Sequence, residues 1–310
     1  MSKSLFPVDP VMTAIAIAFK NKKMIADQVL PYVPVAKSAF NYMKYNESDA
    51  FTLPDTLVGR KGIPNQVDFG GTEETDSCRD YFLDDIVPQS DIDDAADGVN
   101  LINNAVSGVM DLILLDRERR CANMVFDASN YAATNKKTLS GSDQFDDFVG
   151  SDPIKVILDA LDSMIVRANV MVIGSAVYNV LRRHPKICKA IHGNSGDAGI
   201  VTRTQLAELF ELDEIAVGEA YINSAKKGKS MSLNRVWGKH ISLICRNTPD
   251  ALPQAKMTFG FTARQGKRIS GVIDDPKLGG RGSHRVRAGE TVKEVITSDK
   301  LGYFIQNAIS

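Results

Sequence analysis

The sequence predicts an α+β fold, and three observations carry that reading. A stretch of thirty-odd residues, roughly Asp91 to Asp127, keeps a helical apolar period throughout. After Ser151, short helices and strands follow one another without the regular alternation of a doubly wound sheet. Residues 232–246 and 257–273 then alternate in polarity like antiparallel strands.

The long stretch reads as a spine. Ile102, Val106, Val109 and Ile113 form one apolar row, and Met110, Leu114, Cys121 and Val125 a neighbouring one, which gives a wide buried face. Acids crowd its start (Asp91, Asp93, Asp94, Asp97) and arginines its far half (Arg117, Arg119, Arg120), matching the two ends of a helix dipole. At 1.5 Å per residue such a rod spans roughly 45–55 Å and has to be covered by chain from elsewhere.

The remaining elements are taken in order. Asp9 and Pro10 supply a cap and a first-turn proline for a short helix with Ile15, Ala18, Phe19 and Ile25 on one face. Pro31 and Pro34 then force an extended run to Tyr45, so the first 45 residues form an arm with few apolar residues of its own. Residues 46–88 read as a long two-stranded ribbon: Phe51 to Val58 runs up to a tip at Gly59-Arg60-Lys61-Gly62-Ile63-Pro64, and Asn65 to Thr72 returns, alternating at Val67 and Phe69. A polar ribbon of this length is marginal in water and should dock on a partner.

Beyond the spine, Asp152 and Pro153 cap a helix with Ile154, Ile157, Leu158, Leu161 and Ile165 on one face. Val170–Ile173 is a short buried strand, Ser175 and Pro185 start helices, Thr202–Phe210 forms another, and Glu214–Val217 a second strand. The tail, Thr291 to Ala308, reads as a hairpin turning at Ser298-Asp299-Lys300.

A chain of 310 residues with 44% hydrophobic and 24% charged residues is that of a folded protein with a sizeable core. A net charge of −1 argues against holding nucleic acid by bulk positive charge. The charge is uneven, however. Ten acids lie between Glu73 and Asp97 against Arg79 alone, and nine Lys or Arg between Lys256 and Lys293 against three acids. Such segments suit either self-association or two solvated faces. Cys78, Cys121, Cys188 and Cys245 lie far apart, as reduced thiols do. Nothing approaches the roughly 20 apolar residues of a membrane span, and no signal peptide is visible.

Each lookalike of a chemical site misses a required residue. Gly228-Lys229-Ser230 resembles a phosphate loop, but Asn223 stands where its first glycine belongs; Gly266-Lys267 is followed by Arg268 in place of Ser or Thr. Gly279, Gly280 and Gly282 leave a dinucleotide fingerprint incomplete at Arg285. Gly193 to Gly196 faintly resembles a serine-nucleophile loop, but Asp197 takes the place of its last glycine. His184, Cys188 and His192 repeat every four residues, yet Pro185 moves His184 to a cap position, so a capping histidine and a core cysteine are expected. Ala95 and Ala96 break a calcium loop among the acids at 84–97. The expectation is no enzyme, no metal and no cofactor.

The order of parts, together with several short stretches, resembles the major capsid proteins of tailed bacteriophages, the Hong Kong-97-type capsid fold. Those stretches are Asp9-Pro10-Val11 followed by Ala-Ile-Ala-Ile-Ala, Ile25-Ala26-Asp27 with Val29-Leu30-Pro31, and Val58-Gly59-Arg60-Lys61. Leu114-Leu115-Asp116-Arg117-Glu118, Val236-Trp237-Gly238-Lys239-His240 and the closing Gly302-Tyr303-Phe304-Ile305-Gln306-Asn307 complete the set. The resemblance implies an N-terminal arm over residues 1–45, an extended loop over 46–88, a peripheral domain from 89–150 with 254–310, and an axial domain over 151–253. It implies self-assembly as pentamers and hexamers into an icosahedral head around packaged double-stranded DNA that is contacted non-specifically. The implied place is the virion, after assembly in the host bacterial cytoplasm.

Other implied partners are a portal and a scaffolding protein. Because the sequence starts almost directly at the arm, the scaffold is expected as a separate protein, or the sequence as a mature form. Whether a cement protein or cross-links hold the lattice stays open. Arg60 and Lys61 at the loop tip are the expected subunit contact, with the acid-rich segment 73–97 of a neighbour as partner. An encapsulin-like cellular compartment and, from another class, a cytosolic enzyme using the Gly280–Arg287 loop for a phosphate are the alternatives.

Overall fold

The computed structural model describes residues 6–18, 24–45, 52–66, 71–193, 199–226, 228–247 and 257–310. Two sheets and one long helix organise them. The first sheet has the order β1-β11-β12-β4, formed by Tyr32–Val35 (β1), Gly260–Asp275 (β11), Ser283–Ile296 (β12) and Arg79–Pro88 (β4). The second has the order β5-β13-β10-β6-β7: Lys136–Thr138, Gly302–Gln306, Ile241–Ile244, Val170–Gly174 and Glu214–Gly218. Parallel and antiparallel pairs mix in both, as an α+β fold requires.

The spine helix, α4, runs Leu101–Val125, about 37 Å at 1.5 Å per residue. It starts ten residues later than the apolar period suggested. Asn100 caps it by accepting the amide of Asn103, and Gly98 turns the chain just before at a φ of 87°. The acids at 91–97 therefore precede the helix and do not complement its dipole. Asp91 and Asp93 belong to a separate short helix, α3, Gln89–Asp93. The first half of the spine packs Val106, Val109, Met110 and Ile113 against Val286 and Ala288 of the first sheet. Its second half packs Cys121, Ala122 and Val125 against Val170 and Phe304 of the second and against Trp237, which lies in the bend before β10. One rod thus nucleates both cores.

The arm lies on its own chain. Asp9 caps α1 (Pro10–Ala18) by accepting the amides of Val11 and Met12. The face that packs against the spine is Met12, Ile15 and Ala16. Ala18 is exposed, Ile25 sits beyond α1, and Phe19 is outside the described residues. After a four-residue helix, α2 (Ala26–Val29), β1 joins β11 in parallel, with Tyr32 opposite Thr262.

The ribbon exists, but in another register. Its strands are Ala39–Tyr45 (β2) and Gly71–Ser77 (β3), paired from Ala39–Ser77 to Tyr45–Gly71. The expected strands at 51–58 and 65–72 are not formed within 52–66, and Val67 and Phe69 lie outside the described residues. The tip turn is where the glycines place it, with the Gly62 amide donating to the Gly59 carbonyl at 2.8 Å.

The second sheet carries α5 (Pro153–Ser163), α6 (Ser175–Leu181), α7 (Pro185–His192) and α8 (Arg203–Phe210). Their caps are Asp152, which accepts the Lys155 amide, His184, which accepts that of Lys186, and Thr202, whose capping box with Gln205 closes both ways. A small hairpin, Tyr221–Asn223 (β8) with Leu233–Arg235 (β9), projects beside them. The tail is not a hairpin. Ser298 to Lys300 carries the chain from β12 in the first sheet to β13 in the second, where β13 pairs with β10 and β5. All four cysteines are buried and free, and among the described residues no helix is long and apolar enough to cross a membrane.

Candidate assembly surfaces

The charge centre of the subunit is a clamp on the spine that sequence reading did not single out. Leu114, Glu118 and Cys121 are spaced by four and three, so Glu118 and its neighbour Arg117 fall on the apolar row and are driven inward. Both side chains are almost wholly buried, at 1% and 0% exposure. The Glu118 carboxylate accepts the amides of Ile25 and Ala26 at 2.8 Å each, which are the free donors at the start of α2. It also accepts the Trp237 indole N–H at 2.6 Å. Arg117 pairs with Asp27, donates to the Leu30 carbonyl at 3.2 Å and to Thr262 at 3.1 Å, and lies 3.9 Å over the Tyr32 ring. Two adjacent residues therefore tie arm, spine, β11 and the second core together.

A second buried group extends this clamp. A register shift in β11 between Gln265 and Ile269 lets Arg268 turn inward to Glu290 at 3.0 Å, and both reach the Tyr32 hydroxyl. Burial pushes the Glu118 carboxyl above its usual range, although the amides of Ile25 and Ala26 and the Trp237 indole work against that shift.

The acid-rich and base-rich segments meet in part within one chain, which the two readings of them, self-association or two solvated faces, did not include. Strands β4 and β12 are antiparallel neighbours, and Arg287 sits opposite Asp84 in a bidentate pair at 2.7 Å. Lys293 reaches Asp76 at 3.0 Å and Arg281 reaches Asp93 at 3.5 Å. The Arg287 pair holds the Asp84 carboxyl below its ordinary range. Asp85, Asp94 and Asp97 stay exposed and unpaired on the outer side, where β4 is the free edge of its sheet. Between that edge, α3 and the start of the spine lies an open groove of about 350 Å³, floored by Ile86, Leu101 and Ala105 and rimmed by Asp85 and Asp91.

Arg60 and Lys61 stand at the tip turn, exposed, and among the described residues neither pairs with a carboxylate of its own chain. Around them Leu53, Leu57 and Ile63 are 88%, 85% and 89% exposed. Apolar side chains left this bare on a folded chain mark a surface meant for cover.

The lookalike sites stay ordinary. His184 is a buried cap, 3.1 Å from Ser151 through Nε2, and Cys188 is core. Lys229 lies in an exposed turn ahead of β9, not at a helix start. Among the described residues, no three His, Cys, Asp or Glu gather to hold a metal.

The chain is 51% identical to the major capsid protein of Pseudomonas phage JBD67, covering 100% of both chains. This chain belongs to the phage major capsid proteins. The major capsid protein of Burkholderia phage BcepMu is 31% identical, over 96% of this chain and 95% of that one. Among solved structures, a phage-related protein from Bordetella bronchiseptica RB50 matches with a TM-score of 0.75 at 22% identity, covering 97% of each chain. The capsid structure of cyanophage P-SCSP1u matches at 0.61 and 8% identity, covering 100% of this chain and 92% of that one. At those identities the two structures show a shared fold, the Hong Kong-97-like capsid fold. No protein-family profile matches. As a capsid protein, the subunit has a structural role.

Proposed function

We propose that this capsid protein assembles as pentamers and hexamers into an icosahedral head around packaged double-stranded DNA. In this reading the shell forms in the host cytoplasm with help from a scaffolding protein, and a portal completes it. Residues 1–45 act as arm, 46–88 as extended loop, 89–150 with 254–310 as peripheral domain, and 151–253 as axial domain. The subunit works by contact and not by catalysis.

The observation that carries the reading is the loop tip. It presents Leu53, Leu57 and Ile63 almost bare, with Arg60 and Lys61 unpaired among them. The groove beside β4 offers the complement, apolar floor and acid rim. We assign Arg60 and Lys61 to the rim of a neighbouring subunit, with Asp85 and Asp91 as acceptors. An exposed ion pair is worth only about 0–1 kcal/mol, but it recurs at every subunit of a closed shell.

Replacing Arg60→Glu together with Lys61→Glu tests this. The variant should keep the wild-type circular dichroism spectrum and lose or weaken shell formation, read by light scattering and negative-stain microscopy. Normal shells at normal yield from the variant would remove the tip assignment. A wild-type chain that stays monomeric with and without its scaffold would remove the capsid assembly itself.

A further inference from the structure

The charge seam between β4 and β12 accounts for the larger basic segment and exposes a smaller one that has no counterpart. Between Ala176 and Gln205 there are five Lys or Arg (182, 183, 186, 189, 203) and one acid (197). The fold brings four of these cations to one corner. The Arg182 carbonyl at the end of α6 accepts the Val201 amide at 2.9 Å and the Cys188 thiol at 3.7 Å. Those contacts hold the end of α6, the middle of α7 and the start of α8 together, so Arg182, Arg183, Lys189 and Arg203 share the same surface region.

Their heads are free of carboxylates. Lys186 is engaged by the Ser151 carbonyl at 2.6 Å and by Asp152 at 3.5 Å. Among the described residues Arg182, Arg183, Lys189 and Arg203 form no ion pair, and all but Arg182 are exposed. Arg182 and Arg203 lie 5.4 and 5.7 Å from the centre of the same Tyr178 ring, within cation–π range. Three of the four are arginines, whose planar fork suits phosphate oxygens. Like charges held close together repel one another, so an arrangement of this kind is relieved by an external polyanion.

We infer that this α6–α7–α8 corner is the surface on which the subunit holds the phosphate backbone of double-stranded DNA, without reading its sequence. The inference rests on the capsid reading and adds the face that meets the packaged molecule. Backbone contacts of this type release counterions, so they should show in the salt dependence of binding at about 0.9 per phosphate neutralised. They also reconcile a neutral chain with a nucleic-acid partner: the positive charge is local, not global.

The test compares full-length, unassembled wild type with Arg183→Gln/Lys189→Gln/Arg203→Gln, leaving half-buried Arg182 in place. Binding of a short random-sequence DNA duplex is followed by fluorescence anisotropy between about 50 and 200 mM salt. The triple variant should bind at least about tenfold more weakly, with a log–log salt slope shallower by about 2.7 for three lost contacts. Arg183→Lys/Arg203→Lys, with Lys189 kept, should retain most of the wild-type slope. Arg60→Gln/Lys61→Gln should bind DNA like wild type. An unchanged affinity and slope in the triple variant overturns the proposal. So does a variant that binds DNA normally but fails to form shells, because the corner would then be a protein contact. Shell formation by wild type is scored separately by light scattering, so failure of the capsid reading is told apart from failure of the DNA face.

Discussion

Glu118 holds the start of α2 and Trp237 to the spine, and its chemistry predicts an unusual pH response. Three N–H donors, from Ile25, Ala26 and Trp237, depend on one carboxylate in a dry site. Glu118→Ala leaves all three buried without an acceptor, at about 1–3 kcal/mol each. Glu118→Gln keeps one acceptor oxygen but turns an amide NH₂ toward a backbone donor, costing about 1–3 kcal/mol. The carboxyl's folded pKa is raised by burial, so the folded state binds this proton more tightly than the unfolded state does. Its contribution therefore opposes folding as pH rises above the ordinary value of about 4.3, and the penalty is complete only above the folded pKa. Urea unfolding from pH 4 upward should show wild type losing stability relative to Glu118→Gln across that window. Parallel pH profiles for the two would mean that the carboxyl is not perturbed.

At the scale of elements, the proposed assembly contact lies on the loop, and the clamp holds the fold. Leu57 and Ile63 touch little of their own subunit, so Leu57→Ser with Ile63→Ser should leave the unfolding free energy of the monomer, read from its urea midpoint, unchanged within about 0.5 kcal/mol. The same change should reduce shell yield, measured by sedimentation. A shifted midpoint would show that the loop is folded back on its own chain. The elements that were legible from sequence are those set by local chemistry: Asp9, Asp152 and Thr202 at helix starts, the turn between Gly59 and Gly62, and the buried strands at 170 and 214. The misplaced ones depend on distant partners. The spine begins at Leu101 because Gly98 and the Asn100 cap interrupt an apolar period that runs on through Ile92. The ribbon pairs at 39–45 because Phe40 and Tyr42, two residues apart on one face, pack against Phe261, a partner more than 200 residues away. Glu118 could have been found, since it interrupts an apolar row at helical spacing between Leu114 and Cys121. The pairing of β4 with β12 could not, because some 200 residues separate Asp84 from Arg287.

At the scale of the whole molecule, weak contacts become decisive because assembly repeats them. The concentration of free subunit in equilibrium with shells changes tenfold for each 1.4 kcal/mol of contact energy per subunit. Two exposed ion pairs at the loop tip, at about 0–1 kcal/mol each, can thus shift that concentration by up to about 30-fold. The internal seam behaves differently. Asp84 and Arg287 are neighbours in a sheet and partly buried, so screening acts on them far less than on the tip. Salt should then separate the two roles. Raising ionic strength from about 0.1 to 1 M, where the screening length falls from about 10 to 3 Å, should raise the free-subunit concentration of wild type severalfold and leave its urea midpoint nearly unchanged. Arg60→Gln/Lys61→Gln should start at the raised value in low salt and respond little to added salt. Both quantities can be read from the same samples, by sedimentation of shells and by unfolding of the soluble fraction. If the tip variant responds to salt as steeply as wild type, the salt-sensitive contact lies elsewhere on the subunit, and the acid rim at Asp85 and Asp91 is not its acceptor.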